Sequence, residues 1–95
     1  MSRQLRVLAG RDCGRVFSLH DQQALLVGRD PGTHTRLKDP QVAMLHCQVV
    51  AQGDAALLTD RGSSGGTFVD GRRVAEHLLH PGDVFRVGDT RIRFE

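Results

Sequence analysis

Where the chain has a clear pattern, apolar and polar residues alternate with a period of two. In Thr90-Arg91-Ile92-Arg93-Phe94, Ile92 and Phe94 fall on one side and Arg91 and Arg93 on the other, the period of a half-buried strand. Similar short runs are separated by turn residues. Gly10 and Gly14 bracket a turn after residues 5–9. Gln52-Gly53-Asp54 separates residues 47–51 from 55–59, and Asp70-Gly71 separates 67–69 from 72–74. Asx-Gly between apolar residues is a strong hairpin signal, because both central residues of a type I′ turn need positive φ. Pro81-Gly82 suits a type II turn, and Gly88-Asp89 joins residues 84–87 to 90–94. The one helix candidate, Val74 to Leu79, is closed by Pro81-Gly82 after six residues, too short to stand as a helix. Many short strands with frequent turns predict an all-β sandwich or barrel.

Size narrows the function. The chain has 95 residues, one domain's worth and too few for a core plus a deep enzyme cleft. No apolar run nears the roughly 20 residues of a membrane helix, and Met1-Ser2-Arg3-Gln4-Leu5-Arg6 does not lead into a signal peptide. A reducing, cytoplasmic setting is expected. Two cysteines 34 positions apart make no disulfide framework. Cys47 reads as a small buried residue and Cys13 as an exposed turn residue. The net charge is only +2, yet the cations are 12 arginines and one lysine, Lys38. Arginine offers a flat fork of donors suited to carboxylate and phosphate. Without a run of like charge, the arginines read first as base composition and solvated strand faces.

Three candidate chemistries weaken on inspection. Gly62-Ser63-Ser64-Gly65-Gly66 fits G-x-S-x-G, but a nucleophile elbow needs a helix to follow, and Thr67-Phe68-Val69 reads as a strand. His77 and His80 are three apart, with no Cys or acidic partner at finger-like spacing. The arginines lack the interleaved aromatics of a nucleic-acid surface. No metal, cofactor, nucleic-acid or membrane partner is expected, and no enzyme. The loops say more. Gly28-Arg29, the segment from Asp39 to His46, and the segment from Asp60 to Gly66 would cluster at one edge of a sandwich. One guanidinium with hydroxyl and backbone donors makes a sound anion site.

The same residues resemble the forkhead-associated (FHA) domain, a β-sandwich that reads phosphothreonine peptides. Residues 10–19 are similar to its G-x3-G-x2-F-x-L opening, and Gly28-Arg29 to its Gly-Arg. Leu37-Lys-Asp-Pro-Gln-Val-Ala-Met-Leu-His46 sits where the family has L-x-D-x-x-V-S-R-x-H. Residues 60–71 match D-x-x-S-x-N-G-T-x-V-N-G, and residues 79–88 match L-x-x-G-D-x-I-x-x-G. The resemblance covers nearly the whole chain, in order. It implies a two-sheet β-sandwich of about 11 short, mostly antiparallel strands. It also implies a single domain over residues 1–95, of a kind that sits within larger signalling proteins.

Carried over position by position, the resemblance makes Arg29 a phosphate contact and Ser64 a contact to phosphate or peptide. Ala43 and Met44 replace the family's Ser and its following cation, and Gly65 replaces the Asn that bonds the peptide backbone. Gly28, His46, Gly66 and Thr67 stand at supporting positions. Arg36 or Arg61 are candidates to restore the lost charge. Two functions follow: a phosphothreonine-peptide reader with weakened phosphate binding, or a phospho-independent assembly domain on the same scaffold. For Arg29 an ion pair at the sandwich edge is the alternative to phosphate binding.

Overall fold

The computed structural model describes residues 3–95. Among them are ten strands and no helix: β1 (Arg3–Ala9), β2 (Val16–Leu19), β3 (Ala24–Val27), β4 (Cys47–Gln52), β5 (Ala55–Asp60), β6 (Thr67–Val69), β7 (Arg72–Arg73), β8 (Glu76–Leu79), β9 (Val84–Val87) and β10 (Thr90–Phe94). They form a six-stranded sheet, β2-β1-β10-β9-β6-β7, and a four-stranded sheet, β3-β4-β5-β8. Every ladder is antiparallel, and one isolated parallel bridge joins Asp21 to Ala51. The all-β sandwich is as expected, with ten described strands in place of about 11.

Alternation sets which face is buried. In β10, Thr90, Ile92 and Phe94 are buried while Arg91 is exposed. In the β4–β5 ladder, Val49 pairs with Leu58 and Ala51 with Ala56, all facing inward. Phe85, Phe94, Leu5, Leu58, Leu79 and Ile92 are the largest fully buried side chains, each contributing about 1.5–3 kcal/mol of transfer free energy. No helix of the described residues is long and apolar enough to cross a membrane.

Within the Val74–Leu79 segment, Glu76–Leu79 forms the edge strand β8. Leu78 and Leu79 pair with Leu57 and Ala56 of β5, and Val74 packs against the core. Leu79 is buried and Leu78 exposed, the alternation of a strand rather than a helical stripe. A ladder partner supplies the hydrogen bonds that a six-residue helix could not close on its own.

Several outward arginines are held by neighbours on the faces. Arg6 and Arg93 both pair with Glu95, whose carboxyl is held down to about 2 by hydrogen bonds from Gln4, Arg93 and Arg6. Arg86 lies over the Phe68 ring at 4.3 Å and Arg15 over Phe17 at 4.8 Å, favourable cation–π placements.

The β6–β7 hairpin turns on Asp70 (φ 52°) and Gly71 (φ 76°), the two positive values that a type I′ turn requires. Gly71→Val is expected to lower stability by about 1–2 kcal/mol. Urea unfolding should show an earlier midpoint with an unchanged slope.

Candidate functional site

Three loops meet at one edge of the sandwich, tied together by backbone. The first follows β3. Gly28 sits where an added Cβ would fall 2.2 Å from the Met44 carbonyl oxygen, so only glycine lets the two loops approach this closely. Just past it, the N–H of Arg29 donates to the Ala43 carbonyl at 3.2 Å, and the N–H of Asp30 to the Met44 carbonyl at 3.1 Å. From the other side the buried Thr33 and Thr35 hydroxyls bond the Gly28 backbone, and the Leu37 N–H donates to the Gly28 carbonyl at 2.7 Å.

His46 joins the second loop to the third. Its imidazole is fully buried. Nδ1 accepts from the Ala43 N–H at 3.0 Å, and Nε2 lies 2.8 Å from the Gly66 carbonyl oxygen. Accepting at Nδ1 leaves the proton on Nε2, which donates to Gly66. The His46 backbone adds two further bonds: its N–H to Val27 at 2.8 Å, and its carbonyl accepting from Arg61 at 2.9 Å.

Carboxylates shape the loops from within. Asp60 accepts the Ser63 hydroxyl at 2.5 Å, the Thr67 hydroxyl at 2.8 Å and the Gly62 N–H at 2.9 Å. Asp39 accepts the Gln41 N–H, and from across the sandwich the Asp89 N–H and Thr90 hydroxyl, each at 2.8 Å. Asp12 accepts the Lys38 N–H at 2.8 Å. Burial raises the carboxyl pKa of Asp39 and of Asp60, but these hydrogen bonds outweigh it and hold both below the usual 3.8. Burial, with Asp60 nearby, pushes the Cys47 thiol up, so it is a packing residue. Cys13 is exposed.

On this frame Arg29 is exposed. Its Nε–H donates to the Val42 carbonyl at 2.5 Å, which fixes the side chain's root. Among the described residues Arg29 forms no ion pair, so the ion-pair alternative is not seen. Ser64 is exposed while Ser63 is buried in the Asp60 network, leaving Ser64 the accessible hydroxyl of its loop. The strand β6 follows it, not the helix of a nucleophile elbow. Ala43 is half-buried and Met44 is 47% exposed. Gly65 has no positive φ, and an added Cβ would make only an ordinary contact, 3.6 Å from the Gln41 oxygen. Gly66 has φ +86° and a crowded Cβ position against Arg73 and Phe68, so it is bound to remain glycine.

Sequence reasoning missed part of the cationic surface. Arg15 and Lys38 join Arg29 and Arg36 along a groove of about 570 Å³. The only available signal was that Arg36 and Lys38 are two apart, alternating with Thr35 and Leu37, which are buried. Arg61 is not part of it; its guanidinium donates to Gln48 at 2.6 Å. Among the described residues no group of three or more His, Cys, Asp or Glu side chains could hold a metal.

A rigid sandwich that presents three interlocked loops at one edge is a recognition domain of the loop-built kind. The chain belongs to the forkhead-associated domain family. The matching family model, described as the cytoplasmic domain of an inner membrane component of T3SS, covers residues 6–95. The chain is 35% identical over 79 residues to the FHA domain-containing protein FhaA of Mycobacterium tuberculosis, covering 83% of this chain and 15% of that protein. It spans between 15% and 62% of the length of the curated relatives it matches. Among solved structures, an FHA domain studied for phosphothreonine-dependent interactions superposes with TM-score 0.89 at 33% identity, covering 100% of this chain and 96% of that one. The FHA domain of the CT664 protein from Chlamydia trachomatis superposes with TM-score 0.91 at 27% identity, over 99% and 96% of the two chains.

The lowered carboxyl pKa values of Asp39 and Asp60 make stability depend on acid in a defined direction. Above the unfolded value of 3.8 both groups are ionised in both states and their contribution is complete. As pH falls below it the unfolded chain takes up protons first, and the contribution is lost through the lower folded values. The part of the stability that these two carboxylates supply should therefore be constant above about pH 5 and be lost steeply below about pH 4, read as a falling denaturation midpoint. Asp39→Asn is expected to cost about 2 kcal/mol at neutral pH, since an amide NH2 then faces buried donors. The variant should also show a shallower acid slope in the same titration.

Proposed function

We propose that this chain is a phosphothreonine-peptide-binding interaction module whose hold on the phosphate is weakened, working in the cytoplasm as one domain of a larger signalling polypeptide. One observation carries the reading. Arg29 is rooted at Nε on Val42, exposed, and without an ion pair among the described residues. A guanidinium fixed at its root and open at its fork suits a phosphate dianion. Support comes from the exposed Ser64 on the neighbouring loop and from the phosphothreonine-dependent interactions of an FHA domain 33% identical to this one. The cytoplasmic setting rests on the matching family model. The place within a larger polypeptide rests on the small share of FhaA that the chain spans.

The weakening follows from what stands at three positions. Ala43 offers no hydroxyl, Met44 no charge and Gly65 no side-chain amide. A hydrogen bond to a charged group contributes about 1.5–3 kcal/mol and a neutral one about 0.5–1.5. Losing three such contacts weakens binding by on the order of 4 kcal/mol, roughly a thousandfold. A second reading rests on Met44. At 47% exposure beside the Arg29 loop, it gives an apolar rim that suits a partner recognised without phosphate.

Titration of 15N-labelled protein with phosphothreonine peptides and their unphosphorylated twins separates the two readings. The reader predicts amide shifts around residues 29, 43 and 64 with phosphopeptide alone; equal shifts with both peptides favour the second reading. Arg29→Ala should weaken phosphopeptide binding at least about tenfold while changing stability by no more than about 1 kcal/mol, since one hydrogen bond is lost.

Ala43→Ser with Gly65→Asn should tighten phosphopeptide binding by about tenfold or more. Position 65 has both the backbone angle and the space for a side chain. No gain in calorimetry would count against the site.

A further inference from the structure

Beside Arg29 the surface continues into a groove lined by Arg15, Arg29, Pro31, Arg36, Leu37 and Lys38. Four of these six residues are cations and none is acidic. Arg15 is neutralised by Asp12 at 2.7 Å. Arg29, Arg36 and Lys38 form no ion pair among the described residues. Other arginines among the described residues are also without an ion pair; what distinguishes this groove is that four cations line it and no carboxylate does.

The backbone beneath the groove is held in place at a cost. Arg36 is left-handed, at φ 44°, a conformation that disfavours side chains by about 1–2 kcal/mol. It is kept there by neighbours. Its N–H donates to the Thr33 hydroxyl at 3.0 Å, and its carbonyl accepts from Arg15 at 3.4 Å. Thr33, Thr35 and Leu37 are buried, while Arg36 and Lys38 between and beyond them are exposed. The segment thus anchors every second residue inward and presents two unpaired cations outward, next to the candidate phosphate contact. Strain that the surroundings over-determine tends to lie at functional sites.

We infer that this groove is a second subsite for the same ligand, one that binds an acidic flank of the phosphothreonine peptide: aspartate, glutamate or a second phosphorylated residue. Charge complementarity selects this occupant, since two unpaired cations, Arg36 and Lys38, along a groove continuous with Arg29 favour an anionic chain segment. The inference rests on the phosphopeptide reading of the previous section. It adds to that reading a source of affinity and sequence preference that the altered positions 43, 44 and 65 do not supply.

Three peptides and two variants test it by calorimetry at low salt. The peptides are a phosphothreonine peptide with neutral flanks, the same peptide with aspartate pairs on both sides, and the unphosphorylated acidic peptide. The wild-type protein should prefer the acidic phosphopeptide over the neutral one by about fivefold, as expected for a few exposed charge pairs. That preference should shrink in about 0.5 M salt, where screening is strong. Arg36→Gln with Lys38→Gln should abolish the preference, so that the acidic and neutral phosphopeptides bind alike. Arg36→Gly, whose residue suits the left-handed backbone, should reduce the preference while raising the melting temperature, which separates lost charge from lost fold. If the wild type binds both phosphopeptides equally, or if the double variant keeps its preference, the subsite is overturned and the phosphopeptide reading stands. If neither phosphopeptide binds, both fall. If the unphosphorylated acidic peptide binds as well as the acidic phosphopeptide, the groove is a general anion surface and the subsite is overturned.

Discussion

The buried imidazole of His46 holds the binding edge together, and the rest of the edge depends on where it sits. One nitrogen takes the Ala43 N–H and the other gives its proton to the Gly66 carbonyl, so two loops from different parts of the chain share one ring. The residue's own backbone bonds Val27 and Arg61, tying the same point to the end of β3 and the start of the third loop. A neutral ring with one acceptor and one donor nitrogen matches both partners. Because the 43–44 backbone is fixed in this way, Gly28 can lie against the Met44 carbonyl and Arg29 can root on Val42. The position of the candidate phosphate contact thus derives from a ring that itself faces away from solvent.

Three of the loop carboxylates act as hydrogen-bond acceptors for the loops themselves. Asp12, Asp39 and Asp60 gather backbone N–H groups and hydroxyls, so they shape the loops from within. Three of the cations that form no ion pair among the described residues, Arg29, Arg36 and Lys38, face one groove. A net charge near neutrality therefore coexists with a locally positive edge. Local potential at a surface is set by which charges are solvated rather than by their sum.

Much of the fold could be read from the chain, because alternation and turn chemistry are local. Ile92 and Phe94 against Arg91 and Arg93, or the Asp70-Gly71 turn, need no distant partner to be recognised. Glu76–Leu79 was harder: its inward positions are few, and only pairing with β5 makes it a strand. The candidate site was legible where a residue type repeats a family pattern, as at Arg29 and Ser64. It was not legible where burial depends on contacts across the sandwich. Asp39 is buried because Thr90, 51 positions away, donates to it, and no local pattern announces that. Arg15 joins the basic groove from the loop before β2 for the same reason. Such polar interior residues are set by topology, not by periodicity.

Position 65 has a different kind of consequence. It is the one glycine of the Gly65-Gly66 pair that neither the backbone angle nor crowding requires, whereas Gly66 is locked. Substitutions at 65 can therefore accumulate and revert without passing through a poorly folded intermediate. The exposed edge can thus change its chemistry at one position while the scaffold beneath it keeps its fold.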